Sequence, residues 1–280
     1  MRHPLLCIAV TLAATSFCLA PVAADDGDIC SEASGNEAIA ACTRAINSGQ
    51  FKGFELGVLY NNRGKEYFTK RDHQRAIADL TTSIQLIPTN AGGFVTRGAS
   101  YYETQDYDRA LVDFSATLRL DPTNAAAFRN RGRVYREKND FQRAIANFDQ
   151  AIRLNPNFVN AIHERGLTYQ DMGDYERAIT DYSEGIRLDP YFALAYNSRG
   201  TADRLTKDYD LAIANFSTAV QLDRFYTAAY TNRGLTYEAK GEQARAKADF
   251  DTALALPQKY DSGKWAHDTA RERLRALRIN

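Results

Sequence analysis

The sequence predicts an all-α fold in which antiparallel helix hairpins stack one on the next as an α-solenoid. The first observation is a period of 34 residues, marked by an arginine–glycine pair in each of six units, at 63–64, 97–98, 131–132, 165–166, 199–200 and 233–234. The second is that each unit holds two amphipathic segments of about 12–14 residues around a polar turn such as Met172–Asp174. Since one hairpin cannot bury its apolar faces alone, the six must stack to form a continuous core.

The first 24 residues have the pattern of a secretory signal peptide. Arg2 lies near the start, an apolar stretch runs from Leu5 to Ala20, and small residues precede a cleavage point after Ala24. We therefore expect residues 1–24 to be removed and the mature protein to be exported, periplasmic or secreted, with no membrane span in the mature chain. The alternative is that this segment stays as an uncleaved membrane anchor.

Two cysteines would remain in the mature chain, Cys30 and Cys42, and an oxidising compartment favours one disulfide between them. On one straight helix they would lie about 18 Å apart, whereas a disulfide needs Cα atoms within about 7 Å. The chain must then reverse between them, and residues 34–36 offer a turn. We expect a truncated capping hairpin over residues 25–56, with two free buried thiols as the alternative.

Other positions recur at the same interval of 34 residues. A tyrosine follows the glycine by three residues in five units, and Asp203 replaces it in the fifth. An alanine recurs twelve residues after the glycine, and a bulky side chain follows four residues later, at Leu80, Phe114, Phe148, Tyr182, Phe216 and Phe250. Prolines close the first four units, whereas Arg224 closes the fifth. The small glycine and alanine let the two helices approach closely and admit the rings.

This set of positions resembles the tetratricopeptide repeat (TPR) family over residues 57–260, without an insertion. The resemblance implies a right-handed superhelix of antiparallel hairpins whose first helices line a concave groove. It divides the chain into units at 57–90, 91–124, 125–158, 159–192, 193–226 and 227–260. Residues 261–280 are expected to form a solvating helix that buries a stripe containing Trp265, Ala266 and Leu274.

The charge balance and the motifs argue against several classes of function. Lys and Arg total 35 and so do Asp and Glu, which argues against a nucleic-acid partner. No phosphate-binding loop, metal-ligand spacing or nucleophile motif occurs in the sequence. We therefore expect no catalytic activity, no cofactor and no metal.

The arginine before each glycine forms a ladder along the units. Sixteen residues later each unit carries an acidic or amide side chain, at Asp79, Asp113, Asn147, Asp181, Asn215 and Asp249. Across a helix hairpin these side chains could meet the arginines in bidentate contacts. We expect the ladder to stabilise the fold, with ligand binding as the alternative.

The resemblance also implies that a partner binds along the groove positions of the first helices. The candidate residues are Asn61, Asn62, Lys65, Tyr102, Arg129, Asn130, Arg133, Arg136, His163, Glu164, Asn197, Arg204 and Asn232. Arg129, Arg133 and Arg136 share one helix face and could contact an acidic peptide or an anionic saccharide. The alternative is a solvated face that Glu164 and Asp171 partly neutralise.

We expect a non-catalytic scaffold for protein–protein interaction that binds an extended peptide or a partner helix. The alternative is an accessory protein that binds a saccharide or envelope polymer in polysaccharide export or cell-envelope assembly. The unit at 193–226 departs most from the pattern, and it is either a less stable joint or a specialised part of the groove.

Overall fold

In the computed structural model, which describes residues 26–258 and 262–277, every regular element of the described chain is an α-helix. The chain divides into two compact bodies, which we call the N-terminal body, up to Ile87, and the C-terminal body, from Pro88. The N-terminal body contains α1 Asp26–Glu32, α2 Gly35–Ser48, α3 Gly53–Thr69 and α4 His73–Leu86. The all-α prediction is confirmed, and the predicted signal peptide lies outside the described residues.

The C-terminal body consists of five two-helix repeats and a final helix. Its helices are α5 Ala91–Glu103, α6 Tyr107–Leu120, α7 Ala125–Glu137, α8 Phe141–Leu154, α9 Val159–Asp171, α10 Tyr175–Leu188, α11 Ala193–Leu205, α12 Tyr209–Leu222, α13 Thr227–Ala239, α14 Gln243–Ala255 and α15 Gly263–Leu277. We number the 34-residue repeats one to six, beginning with the α3–α4 hairpin. No helix among the described residues has both the length and the apolar composition needed to cross a bilayer.

The turn inside each repeat has one backbone geometry. Its middle residue has a positive φ in all six repeats, at Arg71, Gln105, Asn139, Gly173, Lys207 and Gly241. In repeats one to four an aspartate then caps the second helix, as when Asp174 accepts the backbone N–H of Arg177. Asp208 of repeat five makes no such side-chain bond.

The hairpin interior explains the periodic glycine. A Cβ on Gly132 would lie 2.7 Å from Cε1 of Phe148, so a larger residue would displace the ring from the core. In repeat four, Tyr182 packs with Ala178 of its own helix and with Ala202 of the next hairpin. This ring therefore joins repeat four to repeat five in one core.

The N-terminal body begins with a short hairpin of α1 and α2. The chain reverses at Gly35, which has a φ of +67°, and the structure pairs Cys30 with Cys42 as a disulfide with Cα atoms 4.6 Å apart. Both cysteines are buried with Ala41 and Ala45 of α2 and with Leu59 of α3. The pair therefore occupies the position of a core contact between the hairpin and repeat one.

The final helix packs on repeat six. Ala266, Ala270 and Leu274 are buried, as expected, but Trp265 is 46% exposed, so its placement in the buried stripe was wrong. His267 is buried instead. The buried face follows the spacing of a straight helix, and Trp265 falls just outside it.

Candidate functional site

The arginine ladder makes the predicted contacts across each hairpin. The salt bridges are Arg63–Asp79 at 2.7 Å, Arg97–Asp113 at 2.8 Å, Arg165–Asp181 at 2.7 Å and Arg233–Asp249 at 2.7 Å. Arg131 and Arg199 donate to the amide oxygens of Asn147 and Asn215 instead. The pairing predicted from the spacing of sixteen residues is confirmed.

Within the C-terminal body, the ladder also ties hairpins to the ones before them. Arg165 donates from Nη1 to Asp149 at 2.6 Å, and Arg233 donates from Nη1 to Ser217 at 3.0 Å. The hydrogen bond with Asp181 is the main reason that the pKa of Arg165 is raised, even though burial opposes it. These contacts support the stabilising interpretation of the ladder.

Three candidate residues lie in the N-terminal body, on α3. Asn61 is buried and donates from Nδ2 to Oδ1 of Asn62 at 3.4 Å, and Asn62 donates to Oγ of Ser31 at 3.4 Å. Lys65 is exposed. Asn62 therefore joins α3 to α1, whereas Lys65 projects into solvent.

The C-terminal body brings three arginines of α7 together on one carboxylate of α9. The Glu164 side chain lies 3.2 Å from Arg129, 3.3 Å from Arg133 and 3.1 Å from Arg136. Arg136 also pairs with Asp171 at 2.7 Å. We call these five residues the arginine cluster. It is a closed network within the protein, with three positive and two negative charges.

Burial lowers the pKa of two members of this cluster, and their acidic partners oppose it to different extents. It lowers the pKa of Arg129, and the charge of Glu164 only partly opposes it. Burial also lowers the pKa of Arg136, but the hydrogen bond and charge of Asp171, together with Glu164, outweigh it and raise that pKa. Acidic partners therefore compensate Arg136 for its loss of solvent.

Tyr102 borders the arginine cluster. The Arg133 guanidinium lies 4.3 Å from the centre of the Tyr102 ring, and the Tyr102 hydroxyl donates to Glu137 at 3.2 Å. Burial raises the pKa of Tyr102 to about 12. Asn130 is half-buried. The aromatic ring holds one arginine of the cluster in place by a cation–π contact.

The next candidates join adjacent first helices. His163 is buried, its Nε2 lies 2.9 Å from Oγ of Ser198, and burial lowers its pKa to about 4. Asn232 donates from Nδ2 to Oδ1 of Asn197 at 3.1 Å. Both contacts span 35 residues, as do Arg129–Glu164 and Arg136–Asp171. This second interval was missed by sequence reasoning, although it follows from stacking like helices one repeat apart.

Arg204 of α11 is the one arginine among the candidates to which the described residues give no acidic partner. It is half-buried, and its Nε is shielded from solvent without a hydrogen-bond partner. No Asp or Glu carboxylate of the described residues lies within ion-pair distance of it. Burial lowers the pKa of Arg204, and Tyr209 opposes this only weakly.

A mostly apolar cavity of about 710 Å³ lies beside the arginine cluster. Its lining includes Arg136, Leu167, Phe192, Leu194, Asp223 and Tyr226. Sequence reasoning missed it because it sought polar side chains, whereas Leu167 and Leu194 lie on the first helices of repeats four and five. Among the described residues no group of His, Cys, Asp and Glu is arranged to hold a metal.

Comparison with models of known families identifies the family of this chain. A model described as "TPR repeat" matches residues 132–173 and 166–203, and one described as "Tetratricopeptide repeat" matches 58–90 and 227–260. The chain belongs to the tetratricopeptide repeat family. The TPR fold predicted from the 34-residue period is confirmed, and TPR proteins are in general non-catalytic scaffolds for protein–protein interaction.

Solved TPR structures resemble the chain over most of its length. A tetratricopeptide repeat protein from Parabacteroides merdae is 20% identical, with a TM-score of 0.69 over 84% of this chain and 91% of that one. MamA is 28% identical, with a TM-score of 0.52 over 57% of this chain and 94% of MamA. PilF of Pseudomonas aeruginosa is 14% identical, with a TM-score of 0.63 over 78% and 99%. No protein of curated function matches the chain.

Proposed function

We propose that the C-terminal body binds an extended peptide or a partner helix on the surface formed by the first helices of its repeats, α5, α7, α9, α11 and α13. The observation that carries the proposal is the apolar cavity of about 710 Å³ beside Arg136. Its volume lies within the usual range for binding pockets, and an apolar lining with a few charged groups is typical of such sites. Burying one or two apolar side chains there would supply the main part of the affinity.

The arginine cluster supports selectivity more than affinity. Its three guanidinium groups already have Glu164 and Asp171 as partners, so a bound anion would have to compete with them. Charged groups of this kind chiefly steer a partner and reject wrong ones. The stacked repeats hold these side chains in place before binding, which lowers the entropic cost.

The test compares peptide capture with glycan capture by the chain from residue 25 onward. Leu194, which is 41% exposed and lines the cavity, is replaced by Glu, and Leu154, which is 40% exposed on α8, is replaced by Glu as the matched control. We expect peptide capture by the parent and by L154E, and its loss in L194E. Capture of glycans alone, or of peptides equally by both variants, would contradict the proposal.

We also propose that the protein is exported and that Cys30 and Cys42 are oxidised in it. The pattern of residues 1–24 and the pairing of the two cysteines in α1 and α2 support this. Intact-mass measurement of protein recovered from its native host should give a chain that begins at Asp25 and lacks two hydrogens. A full-length chain with two free thiols would exclude both parts of the proposal.

A further inference from the structure

Two arginines at the same repeat position have opposite surroundings. Arg136 in repeat three and Arg204 in repeat five are 68 residues apart, which is two repeats. The partners of Arg136 are Glu164 and Asp171. The residues 68 positions after these two are Asn232 and Ala239, which carry no charge. The fold therefore places Arg204 where the same geometry elsewhere provides two carboxylates.

Keeping Arg204 in this state costs stability. A guanidinium that loses water without gaining an acidic partner or a hydrogen bond is destabilised. The fold supplies such partners for Arg136 and none among the described residues for Arg204. A buried polar atom without a partner requires an explanation, and a ligand that supplies the partner is one.

Arg204 and the apolar cavity lie on the same helix. Leu194, in the cavity lining, is ten residues before Arg204 on α11, which corresponds to about 15 Å along the helix axis. An extended peptide advances about 3.3 Å per residue. Two side chains about four or five residues apart in a peptide could therefore reach both places.

We propose that Arg204 binds a carboxylate of a partner peptide whose apolar side chain, four or five residues away, fills the cavity lined by Leu194. This inference rests on the proposed function and adds the chemistry of the partner to it. The guanidinium suits a carboxylate because it can donate two parallel hydrogen bonds to it. The carboxylate belongs to an Asp or Glu side chain within the segment.

The test uses fluorescein-labelled twelve-residue peptides of glycine and serine that carry one Phe and one Asp, separated by two to eight residues. Fluorescence anisotropy should give the tightest binding at separations of four and five. Replacing that Asp by Asn should weaken binding roughly tenfold or more. Peptides with amidated and free C-termini should bind alike, which distinguishes a side-chain carboxylate from a terminal one.

The protein variants assign the effect to one residue. In R204Q the peptides with Asp and Asn should bind equally, whereas R119Q, which changes an exposed arginine of α6, should keep the preference. A preference for Asp that survives in R204Q, or no preference in the parent, overturns the inference. If none of these peptides binds but arrays capture others, the inference alone fails; if arrays capture none, the proposed function fails as well.

A stability measurement tests Arg204 independently of any peptide. Because its charge is uncompensated, R204M should raise the melting temperature by about 2–4 °C. R136M should lower it, since that change leaves Asp171 without its arginine and Glu164 with two of its three arginines. A lower melting temperature for R204M would mean that the protein itself supplies the partner, which overturns the inference.

Discussion

Repeats four and five have the same backbone plan and different side-chain chemistry. Their helices have the same lengths, 13 and 14 residues. In both, the glycine faces a ring of the second helix, with a Cβ on Gly166 or Gly200 falling 2.7 or 2.9 Å from it. Repeat four follows the family pattern closely, whereas repeat five departs from it at several positions. The comparison shows which side chains the fold requires and which it can exchange.

The departures in repeat five occur in pairs. In repeat four the Arg177 guanidinium lies 4.4 Å from the centre of the Tyr169 ring. In repeat five both partners have changed, to Asp203 and Leu211, and Leu211 is largely exposed. Once the ring is absent, an arginine at that position has nothing to stack on. The two changes therefore remove the same cation–π contact, and Leu211 also removes the ion pair that Arg177 forms with Asp174.

A second pair concerns the ladder. Arg199 meets Asn215 where repeat four has Asp181, so the carboxylate is missing from its usual place. Asn215 in turn donates from Nδ2 to Oδ2 of Asp203 at 2.7 Å. In repeat five the carboxylate therefore belongs to Asp203, which bonds to Asn215 and not directly to the ladder arginine. This explains Asp203, which the sequence pattern could only describe as a break.

The largest effect is expected in repeat four, at the carboxylate shared by three arginines. Glu164→Gln should lower the free energy of unfolding by about 2–3 kcal/mol, because it leaves three partly buried guanidinium groups with Asp171 as their one remaining acid. Urea denaturation measures the loss. Asp171→Asn is the matched control and should cost less than about 1 kcal/mol, since that side chain is 36% exposed. Equal losses in the two variants would refute the central role of Glu164.

The turns of the two repeats should respond oppositely to exchange. Lys207 of repeat five has a φ of 70°, and Gly173 occupies the same position in repeat four with a φ of 79°. A side chain in this region costs about 1 kcal/mol. Lys207→Gly should therefore stabilise the protein by up to that amount, and Gly173→Lys should destabilise it similarly, as read from urea midpoints. Two shifts of the same sign would show that the turn backbone is not the cause.

The smallest effect is expected at Asp203 and depends on pH. Burial raises the pKa of Asp203, and the hydrogen bond from Asn215 opposes this. The folded protein then holds the proton more tightly than the unfolded chain, so this residue favours folding at low pH and loses that contribution as pH rises through its folded pKa.

Asp203→Asn should remove this dependence. The variant should gain stability relative to the parent as pH rises from about 3.5 to 7, by less than about 1 kcal/mol. Thermal unfolding across this range measures it, with Asp210→Asn, an exposed residue of α12, as the control. A difference between D203N and the parent that stays constant with pH would contradict the assignment.

The repeat pattern made most of the fold and part of the groove predictable. The core positions of Gly132 and Phe148 and the ladder pairs recur at fixed intervals. The role of a residue in one repeat therefore predicts the role of its equivalent in the next. The partners of Arg136 were harder to predict from the sequence, because they lie 28 and 35 residues away on another helix and no motif marks them. Trp265 was misplaced because its helix follows the last repeat and no recurring position fixes its register. The cavity depends on how several helices converge, which periodicity does not specify.

The two intervals that join neighbouring helices have a consequence for how such a chain can change in length. A gene duplication or loss of one whole 34-residue repeat leaves the intervals of 16 and 35 residues intact on either side, so each ladder pair is kept and the first helices still face one another, whatever side chains they carry. An insertion of a single residue inside a helix shifts every later contact in that helix by about 100° around its axis. We therefore expect the protein to tolerate recombination at repeat boundaries better than small insertions between them.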